Sequence, residues 1–233
     1  MCSSDLYNRE RWDALVEAKA IFTRPYLELT TETATTYLDP KGLMGDVAGK
    51  RVLCLASGGG QQSVAFGILG AEVTVFDLSA GQLQRDREAA ERYGLSVRIV
   101  QGDMRDLSCF ETGSFDLVYH PYSINFVPEV ASVFQEIARV LRPEGLYHFM
   151  CANPCFLGMN PQDWDGNGYP IHLPYESGGV VSLPDESWVF GEEGHTSDSI
   201  QWRREYRHTF SDLINGLVGA ELAIVHFYEE NFG

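Results

Sequence analysis

Three short segments place glycines or acids where an apolar run ends. The first is Val52-Leu53-Cys54-Leu55-Ala56-Ser57-Gly58-Gly59-Gly60. A strand that ends in glycines lets a ligand approach the backbone closely, and the helix start that follows offers free N–H groups. A purely structural tight turn would use the same residues, so this segment alone decides nothing. The second is Asp77, which closes Val73-Thr74-Val75-Phe76 and lies 19 residues past Gly58. A carboxylate there can accept both hydroxyls of a ribose; it can equally serve the start of the helix that begins near Ser79. The third is Gly102-Asp103-Met104. The carboxylate can accept from the exocyclic amine of adenine while the Met packs on the ring, and a surface turn with a core Met is the competing reading.

A fourth segment, Phe115-Asp116-Leu117-Val118-Tyr119-His120-Pro121-Tyr122-Ser123, is a strand that ends in polar groups. Open α/β sheets bind ligands outside such strand ends. His120 is the candidate base, and Tyr122 or Asn125 could orient an acceptor; a plain backbone or cofactor contact is the alternative for His120. His172 and His195 are further candidates, each better explained as a plain surface or packing residue.

These residues need a scaffold, and the chain supplies one in alternating pieces. Leu6 to Ala20 reads as a helix that Ser3, Ser4 or Asp5 can cap. Residues 24–46 leave helix and loop open. Strands are expected over Arg51–Ala56, Glu72–Phe76, Val97–Val100, Phe115–Tyr119 and Leu146–Cys151. Helices are expected over Gln61–Leu69, from Ser79 to Tyr93 with a Ser79/Gln82 capping box and Gly94 beyond its end, and along the stripe Val130, Val133, Phe134, Ile137, Val140 and Leu141. Arg142-Pro143-Glu144-Gly145 stops that last helix. The alternation predicts a doubly wound, mostly parallel sheet. A strand (Ile200–Arg207), a helix (Ser211–Val218, with Gly219 as stop) and a strand (Leu222–Tyr228) complete it.

Residues 153–199 differ in kind. They hold seven Gly, five Pro, six Phe, Tyr or Trp residues and eight acids, with neither Lys nor Arg. A segment this long is expected to be a lid or binding insert over the C-terminal edge of the sheet rather than a linker, because its aromatics need burial. The expected organisation is therefore a helical cap segment over 1–48, a cofactor-binding core over 49–152, the insert over 153–199, and the C-terminal part of the core over 200–233.

Composition removes several classes of function. With 33 acids against 17 Lys and Arg, the formal net charge is -16. The densest basic cluster is Arg203, Arg204 and Arg207, so nucleic acid and anionic membranes are not expected partners. There is neither an 18-residue apolar run nor a secretory n-region and h-region. The five cysteines, Cys2, Cys54, Cys109, Cys151 and Cys155, are odd in number and irregularly spaced. A reducing cytoplasm is the expected setting. The Cys151-x3-Cys155 pair has no further ligands at structural-zinc spacing, so no metal is expected.

Taken in order and with their spacing, the glycine-rich segment, Asp77, Gly102-Asp103-Met104, the Phe115-Asp116 strand and the Arg142-Pro143-Glu144-Gly145 turn resemble the class I S-adenosylmethionine (SAM)-dependent methyltransferases. The resemblance covers residues 50–152, and 200–228 more loosely. It implies a Rossmann-like methyltransferase fold with a cap insertion after strand five, and SAM as cofactor. It implies that Ala56, Ser57, Gly58 and Gly60 hold the methionine part, Asp77 the ribose, Leu78 the adenine face, and Asp103 and Met104 the adenine edge. Gln62, Gln82, His120 and Ser123 complete the implied cofactor set, and His120 would lie near the sulfonium and the acceptor. The chain departs from the family where Cys54 stands in place of an acid and Ala56 in place of a glycine. The family's sheet also has an antiparallel seventh strand, whereas Leu222–Tyr228 is the sixth here when Ile200–Arg207 is counted as strand-like only.

The expected activity is methyl transfer by in-line displacement to a small-molecule acceptor, either neutral or, given the acidic insert, cationic. Two alternatives compete. A nicotinamide (NAD(P)-dependent) oxidoreductase shares the glycine turn and the acid, but its fingerprint needs a third glycine where Ser63 stands. A SAM-binding protein without turnover would use the same fold.

Overall fold

The computed structural model describes residues 3–157, 159, 163–191 and 200–229. In chain order the elements are α1 (Ser3–Glu17), α2 (Thr31–Leu38), β1 (Arg51–Leu55), α3 (Gln62–Ile68), β2 (Glu72–Asp77), α4 (Ala80–Tyr93), β3 (Val97–Gln101), β4 (Phe115–His120), α5 (Ala131–Val140), β5 (Leu141–Phe149), β6 (Val180–Leu183), β7 (Arg203–Tyr206) and α6 (Phe210–Gly219). The main sheet has five strands in the order β3-β2-β1-β4-β5, and every pairing in it is parallel. The order reverses at β1, so β1 and β4 diverge in connectivity and leave a crevice at their C-terminal ends.

Alternation along each strand decides which helices cover which face. In β1, Val52 and Cys54 point to a cluster built with Ala34 and Leu38 of α2, Ala65 and Phe66 of α3 and Leu83 of α4. Leu53 and Leu55 point to the opposite cluster with Phe134 and Ile137 of α5 and Leu213 and Leu217 of α6. This is the period of two that a strand buried on both faces requires. The stripe on α5 is buried as expected at Val133, Phe134, Ile137 and Val140.

Several expectations need correction. Ser3 to Asp5 lie inside α1 rather than before it. Residues 24–46 contain a helix, α2, started by a Thr30/Thr33 capping box. Ser79 does accept from the Gln82 amide, but its own N–H donates to Asp77 rather than to the Gln82 side chain. The stretch Ile200–Arg207 narrows to β7, which pairs antiparallel with β6 from the insert and not with the main sheet. Val180 to Leu183 supply the backbone partners that the core does not. Leu222–Tyr228 forms no strand; it runs as irregular chain beside β5, and a groove of about 1490 Å³ lies between them. A strand needs a ladder partner, and this run has none among the described residues.

The β6–β7 pair is anchored beside the turn Ile124–Phe126 that follows β4. Asn125 Nδ2 donates to the Tyr206 carbonyl (3.3 Å), His208 Nε2 sits 3.0 Å from the Val127 carbonyl, and Asn8 of α1 donates to the Phe126 carbonyl. Arg11 of α1 pairs with Asp185 through one nitrogen, Nη2, which lies 2.5 Å from each carboxylate oxygen in a largely buried contact. Leu15, Ala18 and Ala20 pack with Val189 and Phe190. The N-terminal segment and residues 180–190 of the insert are thus one packed unit on the C-terminal side of the sheet.

Candidate active site

The crevice at the ends of β1 and β4 is built from turns under strain. Ala56 takes a φ of 46° and Tyr122 a φ of 40°, both in the left-handed region that L side chains avoid. Backbone hydrogen bonds hold them there: Ala56 N donates to the Phe76 carbonyl at 2.7 Å, and Tyr122 N to the Met150 carbonyl at 2.9 Å. Such strain concentrates at ligand sites. The alanine at 56 keeps the turn geometry of a glycine without its conformational ease.

The glycine turn itself is closed by acids. Gly58 N donates to Asp77 Oδ2 at 2.9 Å, and Gly59 N and Gly60 N to the two oxygens of Asp86 at 2.9 and 3.1 Å. Carboxylates brought by β2 and α4 accept from all three glycine amides, just before the helix start whose N–H groups the sequence offers to a ligand. Gly58 also has no room for a side chain, because an added Cβ would stand 2.6 Å from Gln82 Cβ and 3.1 Å from the Asp77 carboxyl. From outside, the N-terminal segment lies on the turn: Tyr26 N donates to the Gly60 carbonyl, and Gln61 Nε2 to the Arg24 carbonyl.

Asp77 accepts from Ser79 N and Gly58 N at 2.9 Å each, one on each oxygen, which leaves further lone pairs for a ligand. Burial raises its pKa against these hydrogen bonds, and Asp13 adds to the rise. Asp13 reaches from α1 to Ser79 Oγ (2.5 Å) and Gly81 N (3.0 Å), so α1 also pins the start of α4. Leu78 is half-buried beside Asp77, its carbonyl accepting from Gln101 Nε2 at 3.0 Å.

Asp103 is engaged by its neighbour: Arg105 pairs with it through its guanidinium and its backbone N–H. Desolvation works to raise the Asp103 pKa, but the Arg105 hydrogen bonds outweigh it and hold the carboxyl below the usual range. Met104 is half-buried and packs against the core cluster on the α5 side. Gln62 is directed elsewhere, since its Nε2 donates to the Tyr37 hydroxyl of α2 at 2.7 Å.

His120 is fully buried, with Nδ1 2.8 Å from the Tyr147 hydroxyl. Burial pushes its pKa down to about 3, so the ring is neutral across the physiological range. Tyr122 is half-exposed at the rim. His172, in the insert, is exposed and lies 2.7 Å from Asp163; His195 lies outside the described residues. Among the described residues no group of His, Cys, Asp and Glu could hold a metal ion, and no helix is long and apolar enough to cross a membrane.

The residues fit a polar cofactor on a structural ground. Of the eight buried side-chain atoms without a hydrogen-bond partner among the described residues, four are Ser57 Oγ, Gln82 Oε1, His120 Nε2 and Ser123 Oγ, and the others belong to Asn8, Arg11, His148 and Arg207. Buried polar atoms are almost always satisfied. The first four belong to the end of β4, to the segments that follow β1 and β4, and to the first turn of α4, where a ligand would meet them.

Sequence reasoning did not find Asp13 or Asp86. Asp86 carried a readable signal, because it falls on the core-facing stripe of α4 with Leu83, Ala89 and Ala90. An acid on such a stripe needs donors.

The fold and this crevice define a class I SAM-dependent methyltransferase. A family model described as a methyltransferase domain matches residues 53–149. YbaJ of Bacillus subtilis (strain 168), named as an uncharacterised methyltransferase, is 34% identical over 97% of this chain and 91% of its own length. A ubiquinone biosynthesis O-methyltransferase of Xanthomonas oryzae pv. oryzae (strain PXO99A) is 34% identical over 43% of this chain, and the match spans 42% of that relative. The structure of a SAM-dependent methyltransferase from Mesorhizobium loti shares the fold, with a TM-score of 0.64 at 22% identity and 84% of each chain covered. The chain belongs to the SAM-dependent methyltransferase family, and its cofactor is SAM. The nicotinamide alternative has no support in these relatives, which agrees with Ser63 in place of the third glycine.

Proposed function

We propose that the protein methylates a small organic acceptor, neutral or cationic, which enters between the end of β4 and the packed unit formed by α1, β6 and β7. The unpartnered buried polar atoms at the ends of β1 and β4 carry this reading, since buried polar groups call for the polar atoms of a bound small molecule. The Xanthomonas relative, an O-methyltransferase of ubiquinone biosynthesis by name, supports a small acceptor. The excess of acids in residues 153–199 supports a neutral or cationic one over an anion.

When bound, the cofactor supplies an already activated methyl group on a sulfonium. The protein's part is alignment, which can contribute about 7–11 kcal/mol. Asp77 accepts from the ribose hydroxyls through its remaining lone pairs. Gln82 Oε1, Ser57 Oγ and Ser123 Oγ hold polar cofactor atoms in place. Asp103 and Met104 border the adenine, with Asp103 kept ionised by Arg105. His120 is a poor proton acceptor with its pKa near 3, so it serves as a neutral hydrogen-bonding group whose ring is fixed by Tyr147. Tyr122, half-exposed on its strained turn, contacts the acceptor. The insert acts as the lid through the Arg11–Asp185 pair.

The test is formation of S-adenosylhomocysteine from SAM with panels of phenols, amines and carboxylates, and with bulk protein and RNA. Turnover by phenols or amines, lost in Tyr122→Ala with cofactor affinity unchanged, supports the reading. Turnover confined to carboxylates, protein or RNA overturns it. Tight SAM binding with no turnover on any acceptor would favour a binding protein without catalysis.

A further inference from the structure

Asp86 sits in the middle of α4, has no exposed surface and is the only acid whose side chain reaches into the glycine turn from the helix layer, among the described residues. Its two oxygens accept from three donors at once: Gly59 N at 2.9 Å, Gly60 N at 3.1 Å and Ser63 Oγ at 2.5 Å. Ser63 lies in the first turn of α3, so one carboxylate ties the turn and the helix after it to a second helix. Only an ionised carboxylate offers acceptors on both oxygens with no hydrogen of its own. An asparagine presents N–H groups at one oxygen position, where a glycine N–H already points, and the turn would have to shift. A protonated aspartic acid keeps only weaker acceptors and must aim its hydrogen at Ser63 Oγ, which then ceases to donate, or at a glycine N–H, so the brace loses its charge and at least one donor.

The backbone here has little freedom to absorb such a shift. Gly59 has a φ of 119° and Gly60 a φ of 72°, and an added Cβ at Gly60 would meet Ala89 Cβ and the Arg85 carbonyl of α4 at 2.8 Å each. Gly58, next in line, is bonded to Asp77. A change at Asp86 is therefore passed to the strained segment Ala56–Gly58 that borders the cofactor.

We propose that Asp86 is a positioning residue of the cofactor site, bracing the glycine turn through Gly59, Gly60 and Ser63, and that SAM affinity follows the charge state of its carboxylate. This rests on the cofactor site alone and is independent of which acceptor is used.

The surroundings make that charge state responsive. The titratable and charged groups that face Asp86 are Asp77 at the end of β2, whose charge disfavours a second one, and Cys54 in β1, a thiol kept neutral by burial. From α1, Asp13 acts on the Asp77 side of the cluster. On α4 itself, the neighbouring Arg85 and Arg87 bond outward to Glu88 and Gln84. Burial raises the pKa of Asp86 to about 7 against the hydrogen bonds from Ser63, Gly59 and Gly60. The sign follows: above that pH the carboxylate braces the turn and binding is tight, and below it a proton displaces one of the three donors and binding weakens.

The experiment is calorimetric titration of SAM into the full chain from pH 5.5 to 8.5, for wild type, Asp86→Asn and Ser63→Ala, with folding checked by circular dichroism. The quantity read is the ratio of the D86N to the wild-type dissociation constant, in which the ligand's own titration cancels. The expected ratio is about tenfold or more at pH 8.5 and approaches one at pH 5.5. S63A, which removes one bond that favours the carboxylate, should shift the wild-type midpoint to higher pH. A ratio near one at pH 8.5, or a ratio that does not change with pH, overturns the proposal. If D86N does not fold, an unshifted midpoint in S63A overturns it. Wild type that binds no SAM at any pH would instead contradict the cofactor assignment itself.

Discussion

Asp77→Asn is the most direct perturbation of the cofactor site. The wild-type carboxylate accepts one peptide N–H on each oxygen at 2.9 Å, from Ser79 and from Gly58. An amide retains only one acceptor oxygen, so one of these bonds becomes a donor facing a donor. The charged acceptor offered to the ribose is lost as well. Hydrogen bonds to charged groups contribute about 1.5–3 kcal/mol, which corresponds to a dissociation constant weaker by about 10- to 150-fold. Removal of a carboxyl whose pKa is raised by burial relieves a desolvation cost, so the unliganded fold should survive. Calorimetry gives the dissociation constant directly, and thermal unfolding gives it through linkage. At a ligand concentration of 100 times the wild-type constant, ligand stabilises wild type by about 2.7 kcal/mol, and a variant weakened 100-fold by only about 0.4 kcal/mol. A dissociation constant within twofold of wild type, in a folded variant, would refute the assignment of Asp77 to the cofactor.

Ala56→Gly should stabilise the protein by up to about 1 kcal/mol in urea unfolding, because relief of a left-handed alanine (φ 46°) exceeds the added flexibility of the unfolded chain; a loss of stability, as at an ordinary alanine, would contradict the strained turn. The His120 contribution to stability should be lost as the pH falls from 6.5 toward 3, because the unfolded chain takes up a proton that the buried ring, with its pKa near 3, refuses; Asp86, whose raised pKa favours the folded state on acidification, works the other way, so His120 is read from the difference between wild type and its variant. His120→Gln should flatten that slope between pH 7 and 5, and an equal slope in both proteins would count against a neutral buried ring. Asp185→Ala leaves Arg11 charged and buried, and breaking such a pair costs about 3–5 kcal/mol. Melting temperature and the rate of proteolysis within residues 153–199 report it, and no change in either would detach the insert from α1.

The main sheet could be read because parallel strands covered on both faces leave continuous apolar runs, as in Val52 to Leu55 and Val73 to Phe76, and because α5 carries its stripe at helical spacing. Strand partnership could not be read. Leu222 to Tyr228 has the apolar content of a strand but no ladder partner, while Val180 to Leu183, only four residues between Gly179 and Pro184, becomes one because β7 lies antiparallel to it. Local pattern reports which residues tolerate burial, and pairing is a long-range choice made elsewhere in the chain.

The same division runs through the site. Asp77 stood out because it ends a strand next to the glycine turn in the topology, so the order of elements alone brings it there. Asp86 acts on the same turn from 26 and 27 residues away, through the middle of a helix, and an acid in a helix ordinarily signals a solvated face. What separates the two cases is satisfaction of donors. The three glycine amides of a tight turn must be paired, and the sequence does not say by what. In the folded chain the protein supplies the acceptors itself, as two carboxylates at the cost of their desolvation, and the turn is shaped before the ligand arrives. A site built this way should bind a cofactor with little rearrangement, and replacing the acids behind the glycines should then weaken that binding.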